Sequence, residues 1–184
     1  MRQAGARLLP ESHGIDERKK PVVWYGTSIV HGAASTRAGA GFTNRISRGI
    51  NRTVLNFGFS GSGHMDLGIG MWLRTLDAAV FIVDCNWNMQ AEEVSRKAGP
   101  IVAQLRAAHP GTPIVLAEGT PDGTEWFYST HREGLINAAL RGVFERLQPH
   151  DANLHYVTGA TRARGGVGGR RGVGRAFTAV NGGW

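Results

Sequence analysis

The stretch Val22-Val23-Trp24-Tyr25-Gly26-Thr27-Ser28-Ile29 decides the fold. Its first four residues are β-branched or aromatic, the composition of a buried strand. Gly26 breaks the run and two hydroxyl residues follow, so the strand delivers Ser28 to its carboxyl end. In an open parallel α/β sheet, ligands bind in the crevice outside the carboxyl ends of the strands. Ser28 is therefore a candidate nucleophile. A serine there can equally close a turn or cap the following helix, and Gly-x-Ser alone does not separate these roles.

Outward from this stretch, strands and helices alternate. Ile29 to Ala40 is small and Gly-rich and reads as a loop over the site, followed by a helix over about 42–51. Residues 53–57 read as a second strand, closed by Gly58-Phe59-Ser60-Gly61-Ser62-Gly63, whose three glycines permit a sharp turn or a close approach to a ligand. Helical spacing runs from Met65 to Leu76. Ala78 to Asp84 is apolar up to its last residue, as a central parallel strand buried on both faces is. Cys85-Asn86-Trp87-Asn88-Met89 is a short polar loop, Ala91 to His109 an amphipathic helix stopped by Pro110-Gly111, and Pro113 to Glu118 a fourth strand. A loop over 118–130 with Trp126, Phe127 and Tyr128, a helix over about 131–147 and a fifth strand over 153–157 complete the pattern. The expected fold is α/β, a three-layer doubly wound, flavodoxin-like sheet of about five parallel strands in the order 2-1-3-4-5.

With 184 residues and 41% apolar content the chain suits one domain with a sizeable core. No run is long enough to span a membrane, residues 1–20 form a charged, irregular leader without a secretory h-region, and one cysteine, Cys85, suits a reducing compartment; the expectation is a cytoplasmic protein that makes no membrane contact. The formal charge of +7 is concentrated in the tail, where residues 159–184 hold five arginines, nine glycines and no Asp or Glu. The remainder is close to neutral, which argues against a basic binding face on the domain, so nucleic acid is not the expected partner. The tail has no periodicity and is expected to be disordered or aberrant.

Three loops, after strands one, two and three, carry Ser28, Gly61 and Asn88, and the 2-1-3 order makes those strands neighbours. Such a convergence suits acyl transfer. A serine attacks a carbonyl, and backbone N–H groups at Ser28 and Gly61 with the Asn88 amide would receive the oxyanion. Gly26-Thr27-Ser28, Asn56-Phe57-Gly58-Phe59-Ser60-Gly61 and Asp84-Cys85-Asn86-Trp87-Asn88-Met89 together resemble the first three blocks of the SGNH (GDSL-type) hydrolases, a superfamily of esterases, lipases, thioesterases and carbohydrate deacetylases. The resemblance covers roughly residues 21–158. It implies a serine hydrolase acting on a small-molecule ester without cofactor or metal, with Ser28 as nucleophile and Ser28, Gly61 and Asn88 as oxyanion hole. Thr27 stands where the first block usually has Asp, and Met89 follows Asn88 where many members have Asp.

The fourth block of the superfamily, an Asp-x-x-His pair beyond the fifth strand that supplies the base, has no match: no histidine follows His155. Asp151 and His155 are four apart, before or within the expected strand, so they and His150 read as surface or strand residues. The family-like text stops near Gly159, and the vocabulary beyond it is that of a GC-rich gene out of frame; residues 160–184 are expected to be a frameshifted or aberrant terminus. His64 and His31 remain as substitutes, each with a plainer structural reading. Cys85 reads as a small buried hydrophobe. Trp87, Trp126, Phe127 and Tyr128 either line an acyl or sugar pocket or cap the core. Besides the ester hydrolase, two readings stay open: an inactive relative that binds a ligand in the same crevice, and an RNA-binding protein acting through its Arg/Gly tail. Neither acyl length nor oligomeric state is legible.

Overall fold

The computed structural model describes residues 18–33, 35–120 and 132–161. The tail beyond 161, residues 1–17 of the expected leader, and Trp126, Phe127 and Tyr128 lie outside the described residues.

Five strands, β1 (Val22–Gly26), β2 (Val54–Gly58), β3 (Val80–Asp84), β4 (Ile114–Ala117) and β5 (Leu154–Val157), form one parallel sheet in the order β2-β1-β3-β4-β5. That is the order the alternating sequence implies. β1, β3 and β4 are buried at every position, because helices cover both faces of the sheet. Side chains alternate between two cores. Tyr25, Phe81, Val83, Ile114 and Leu116 point into the larger one, under α3 (Leu67–Leu73), α4 (Ala91–Ala108) and α5 (Arg132–Leu147). Trp24, Ile82 and Val115 point into the smaller one, closed by Val30 of α1 (Ser28–His31) and by Phe42, Ile46 and Ile50 of α2 (Phe42–Ile50).

Two segments depart from the expected pattern. The start of the Ile29–Ala40 loop is a helical turn, α1, because the Ile29 N–H donates to the Thr27 hydroxyl at 3.3 Å and Gly32 closes the turn in the left-handed region at φ +95°. The helix expected over 65–76 is α3 alone, since Met65 takes φ +52° and cannot be helical. The leading residue is spent on the larger core, where Met65 is buried.

Candidate active site

In register, Gly26 lies between Gly58 on β2 and Asp84 on β3, so three loops leave the sheet at one level. Close packing then draws them together. A Cβ at Gly26 would overlap Val30 and the Asp84 carbonyl, one at Gly58 would overlap the backbone of Val30 and His31, and one at Gly63 would overlap the Gly26 carbonyl. The glycines of the second loop thus serve unlike purposes. Gly58 and Gly63 let the chain press against itself, whereas Gly61 alone turns it, at φ +69° and open to solvent.

Ser28, half-buried, is the first residue of α1, just after the capping Thr27. Asn56 fixes α1 from below: its Nδ2 donates to the Val30 carbonyl at 2.7 Å and to the Thr43 hydroxyl at 2.9 Å, while its Oδ1 accepts the Gly58 N–H at 3.0 Å. Trp24 Nε1 donates to the buried Asp84 carboxylate at 3.1 Å beneath the same edge. Phe59 N–H donates to the Gly26 carbonyl at 2.9 Å, tying the second loop to the first.

Asn88 ends a 3-10 turn, Asn86–Asn88, after β3. With its oxygen toward the glycine loop, its carboxamide accepts from the N–H groups of Ser62 at 3.0 Å and Gly63 at 2.9 Å. The opposite orientation offers one long bond to the Phe59 carbonyl at 3.3 Å. Two good bonds outweigh one poor one, so the oxygen faces the loop and Nδ2 takes the opposite side of the carboxamide. His64 Nε2 donates to the Gly61 carbonyl at 3.0 Å, which holds the Gly61 peptide by its oxygen end.

The other sequence candidates fall elsewhere. His155 sits within β5, and Asp151 pairs with Arg106 at 2.9 Å at the amino side of the sheet. Burial lowers the His155 pKa, with Arg106 adding to this and Asp151 opposing it. His150 is exposed in the 3-10 turn before β5. Cys85 is fully buried in the larger core, and that burial pushes its thiol pKa up. His31 is exposed, three residues beyond Ser28 on α1. Among the described residues no histidine is hydrogen-bonded to the Ser28 hydroxyl, and no group of three or more His, Cys, Asp or Glu is placed to hold a metal ion.

Two residues with no role in the sequence reading organise the β4 side. Glu118 accepts from Arg141 Nη2 at 2.6 Å, the Tyr156 hydroxyl at 2.7 Å and the Gly159 N–H at 2.8 Å. Burial alone would push its carboxyl up, but these donors outweigh burial and hold it below the usual range. Asn137, inside α5, accepts from Asn86 Nδ2 and from the Gly119 N–H, both at 2.9 Å. Asn86, Trp87, Gly119, Arg132 and Ile136 border a crevice beside it that is too narrow to hold a water molecule. An acid closing an apolar strand and an asparagine within a helix were the available signals, both being poor choices for their positions unless bonded.

The model of the GDSL-like Lipase/Acylhydrolase family matches residues 19–166. Among curated proteins none matches this sequence. A candidate GDSL-like lipase from Bacteroides ovatus is 31% identical over 76% of this chain, with a TM-score of 0.73. The salicylyl-acyltransferase SsfX3 from a tetracycline biosynthetic pathway is 22% identical over 82%, with a TM-score of 0.70. A carbohydrate esterase family 2 enzyme from Corynascus thermopiles is 13% identical over 92%, with a TM-score of 0.69 and 68% of its own length covered. The chain spans only 42% and 45% of the first two structures. The latter two, at their low identities, establish the fold alone.

Proposed function

We propose that this chain, which belongs to the GDSL-like lipase/acylhydrolase family, binds a carboxylic ester of a small acyl group at the edge formed by Ser28, Gly61 and Asn88 and cleaves it through Ser28. The observation that carries the reading is the Asn88 carboxamide. Its oxygen is taken up by the Ser62 and Gly63 amides, which ties the loop after β3 to the glycine loop after β2 beside the loop that carries Ser28. Ser28 Oγ would attack the ester carbonyl, and the negative charge on that oxygen would be met by the N–H groups of Ser28 and Gly61 and by Asn88 Nδ2. Collapse expels the alcohol and leaves an acyl-serine. Water then attacks this ester, releases the acid and restores the hydroxyl.

Residues 158–184 contain no Asp, Glu or His, so the base of the superfamily's fourth block has no counterpart there. With no base from these residues the Ser28 proton would leave to water. Oxyanion stabilisation and positioning alone give about 10^3- to 10^4-fold over the uncatalysed reaction, a floor that persists without the serine and that cleavage through Ser28 has to exceed. Hydrolysis of p-nitrophenyl acetate tests it: the wild-type chain should turn over slowly and Ser28→Ala more slowly still. Equal rates in the two would refute cleavage by Ser28. The same missing base favours the second reading, a relative that binds an ester without turning it over. That reading predicts protection of the fold by a non-hydrolysable ester analogue with no release of p-nitrophenol.

A further inference from the structure

The near-neutral total of the domain averages two unlike parts. Between residues 18 and 65 there are seven Lys or Arg and no Asp or Glu. Its helix, α2, covers the smaller core. α2 spends Phe42, Ile46 and Ile50 on that core and turns Arg45 and Arg48 to solvent, one helical turn apart at about 5–6 Å between Cβ atoms. Two bonds extend the row at its ends. Arg48 Nη2 reaches the Gly39 carbonyl at 2.8 Å, beside Arg37 in the preceding turn, and Arg52 Nη1 reaches the Lys20 carbonyl at 2.7 Å, next to Lys19. The row of Arg37, Arg45, Arg48 and Arg52 runs along α2, about 13 Å of helix, from the edge that holds Ser28 to the opposite one, where Lys19 follows and Lys20 is paired with Asp77 at 2.8 Å. Among the described residues no carboxylate pairs with Arg37, Arg45 or Arg48.

We propose that this row is a docking track for an acidic polysaccharide, a chain of carboxylate-bearing sugars whose ester-bearing end reaches the Ser28 edge; the proposal rests on the ester reading above. Arginine forks fit carboxylates in two-point contact, and the spacing of one helical turn repeats along the track as charges repeat along the polymer. The exposed large apolar side chains, Ile29, Leu67, Met71, Trp72 and Leu135, lie off α2 and off the turn that precedes it. The track therefore offers nothing to insert into a lipid surface and no aromatic platform on which bases could stack. A polymer that carries both acidic groups and esterified hydroxyls satisfies the track and the site together.

The test is calorimetric titration of the full chain with oligogalacturonate at about 20 and 150 mM salt, a range over which exposed ion pairs weaken markedly. Arg37→Ala/Arg45→Ala/Arg48→Ala should weaken binding at least about tenfold and flatten the salt dependence. Arg74→Ala/Arg96→Ala/Arg146→Ala removes the same charge from exposed positions on other elements and should leave binding within about twofold, since distant exposed charges are screened. Absence of oligogalacturonate binding at low salt, an equal loss in both triple variants, or tighter binding to duplex RNA or to phosphatidylserine vesicles would overturn the proposal. No turnover enters this measurement, so a failure of the ester reading shows separately in the p-nitrophenyl acetate assay.

Discussion

Replacing Gly58 by alanine tests how α1 is seated under Ser28. The three atoms nearest the added Cβ are all backbone, His31 N, His31 Cα and Val30 C, so no side chain can rotate away. α1 must lift or β2 must recede. Overpacking against immovable neighbours costs about 1–3 kcal/mol, and the backbone character of this contact points to about 3. For a chain of this size that is a fall of roughly 6–12 °C in melting temperature. Gly49→Ala is the matched control: it lies in the last turn of α2, a Cβ there meets nothing within 4 Å, and replacing a helical glycine should raise stability by at most about 0.5–1 kcal/mol. Thermal unfolding followed by circular dichroism reads both. A Gly58→Ala chain melting within about 1 °C of wild type would refute the close contact, because 3 kcal/mol cannot be absorbed in so small a shift.

Three further outcomes are expected. Glu118→Gln should cost about 2 kcal/mol, less than a fully buried pair because Arg141 is half exposed. The Glu118 carboxyl is held below its unfolded value near 4.3, so its contribution is complete above that pH and disappears as the pH falls through the lowered value; urea midpoints from pH 7 to pH 3 should decline less steeply in the variant. Asn88→Ala should reduce the p-nitrophenyl acetate rate by about 10^2- to 10^3-fold relative to whatever the wild-type chain shows, with KM little changed, and a wild-type rate would remove Asn88 from the oxyanion hole. Cys85, buried and with a raised thiol pKa, should resist Ellman's reagent in the native chain and react fully in urea.

Strand order and the three converging loops were legible because each rests on a local signal, apolar runs ending in Gly-Thr-Ser, a Gly-rich loop and Asp-Cys-Asn-Trp-Asn. Whatever depends on contact between distant residues was not. Gly58 and Gly63 read as a sharp turn or a close approach to a ligand, and they admit α1 and the β1 backbone, which no one-dimensional spacing reveals. The Thr27 cap that makes α1 helical needs one hydroxyl aimed at one N–H, and the same residues suit a loop equally. Glu118 draws its partners from α5, β5 and Gly159, two residues beyond β5. The basic row was hidden by summation, because a net charge says nothing about which layer holds each sign.

The bond from the Gly159 N–H to Glu118 has a consequence for how the fold tolerates change at its end. Gly159 is also wedged against Gly119, where a Cβ would overlap the carbonyl, so the exit from β5 is clamped on two sides by residues that precede it. The clamp makes this point a joint: position and heading are set upstream. A histidine-bearing segment grafted at residue 160 would start from a fixed origin.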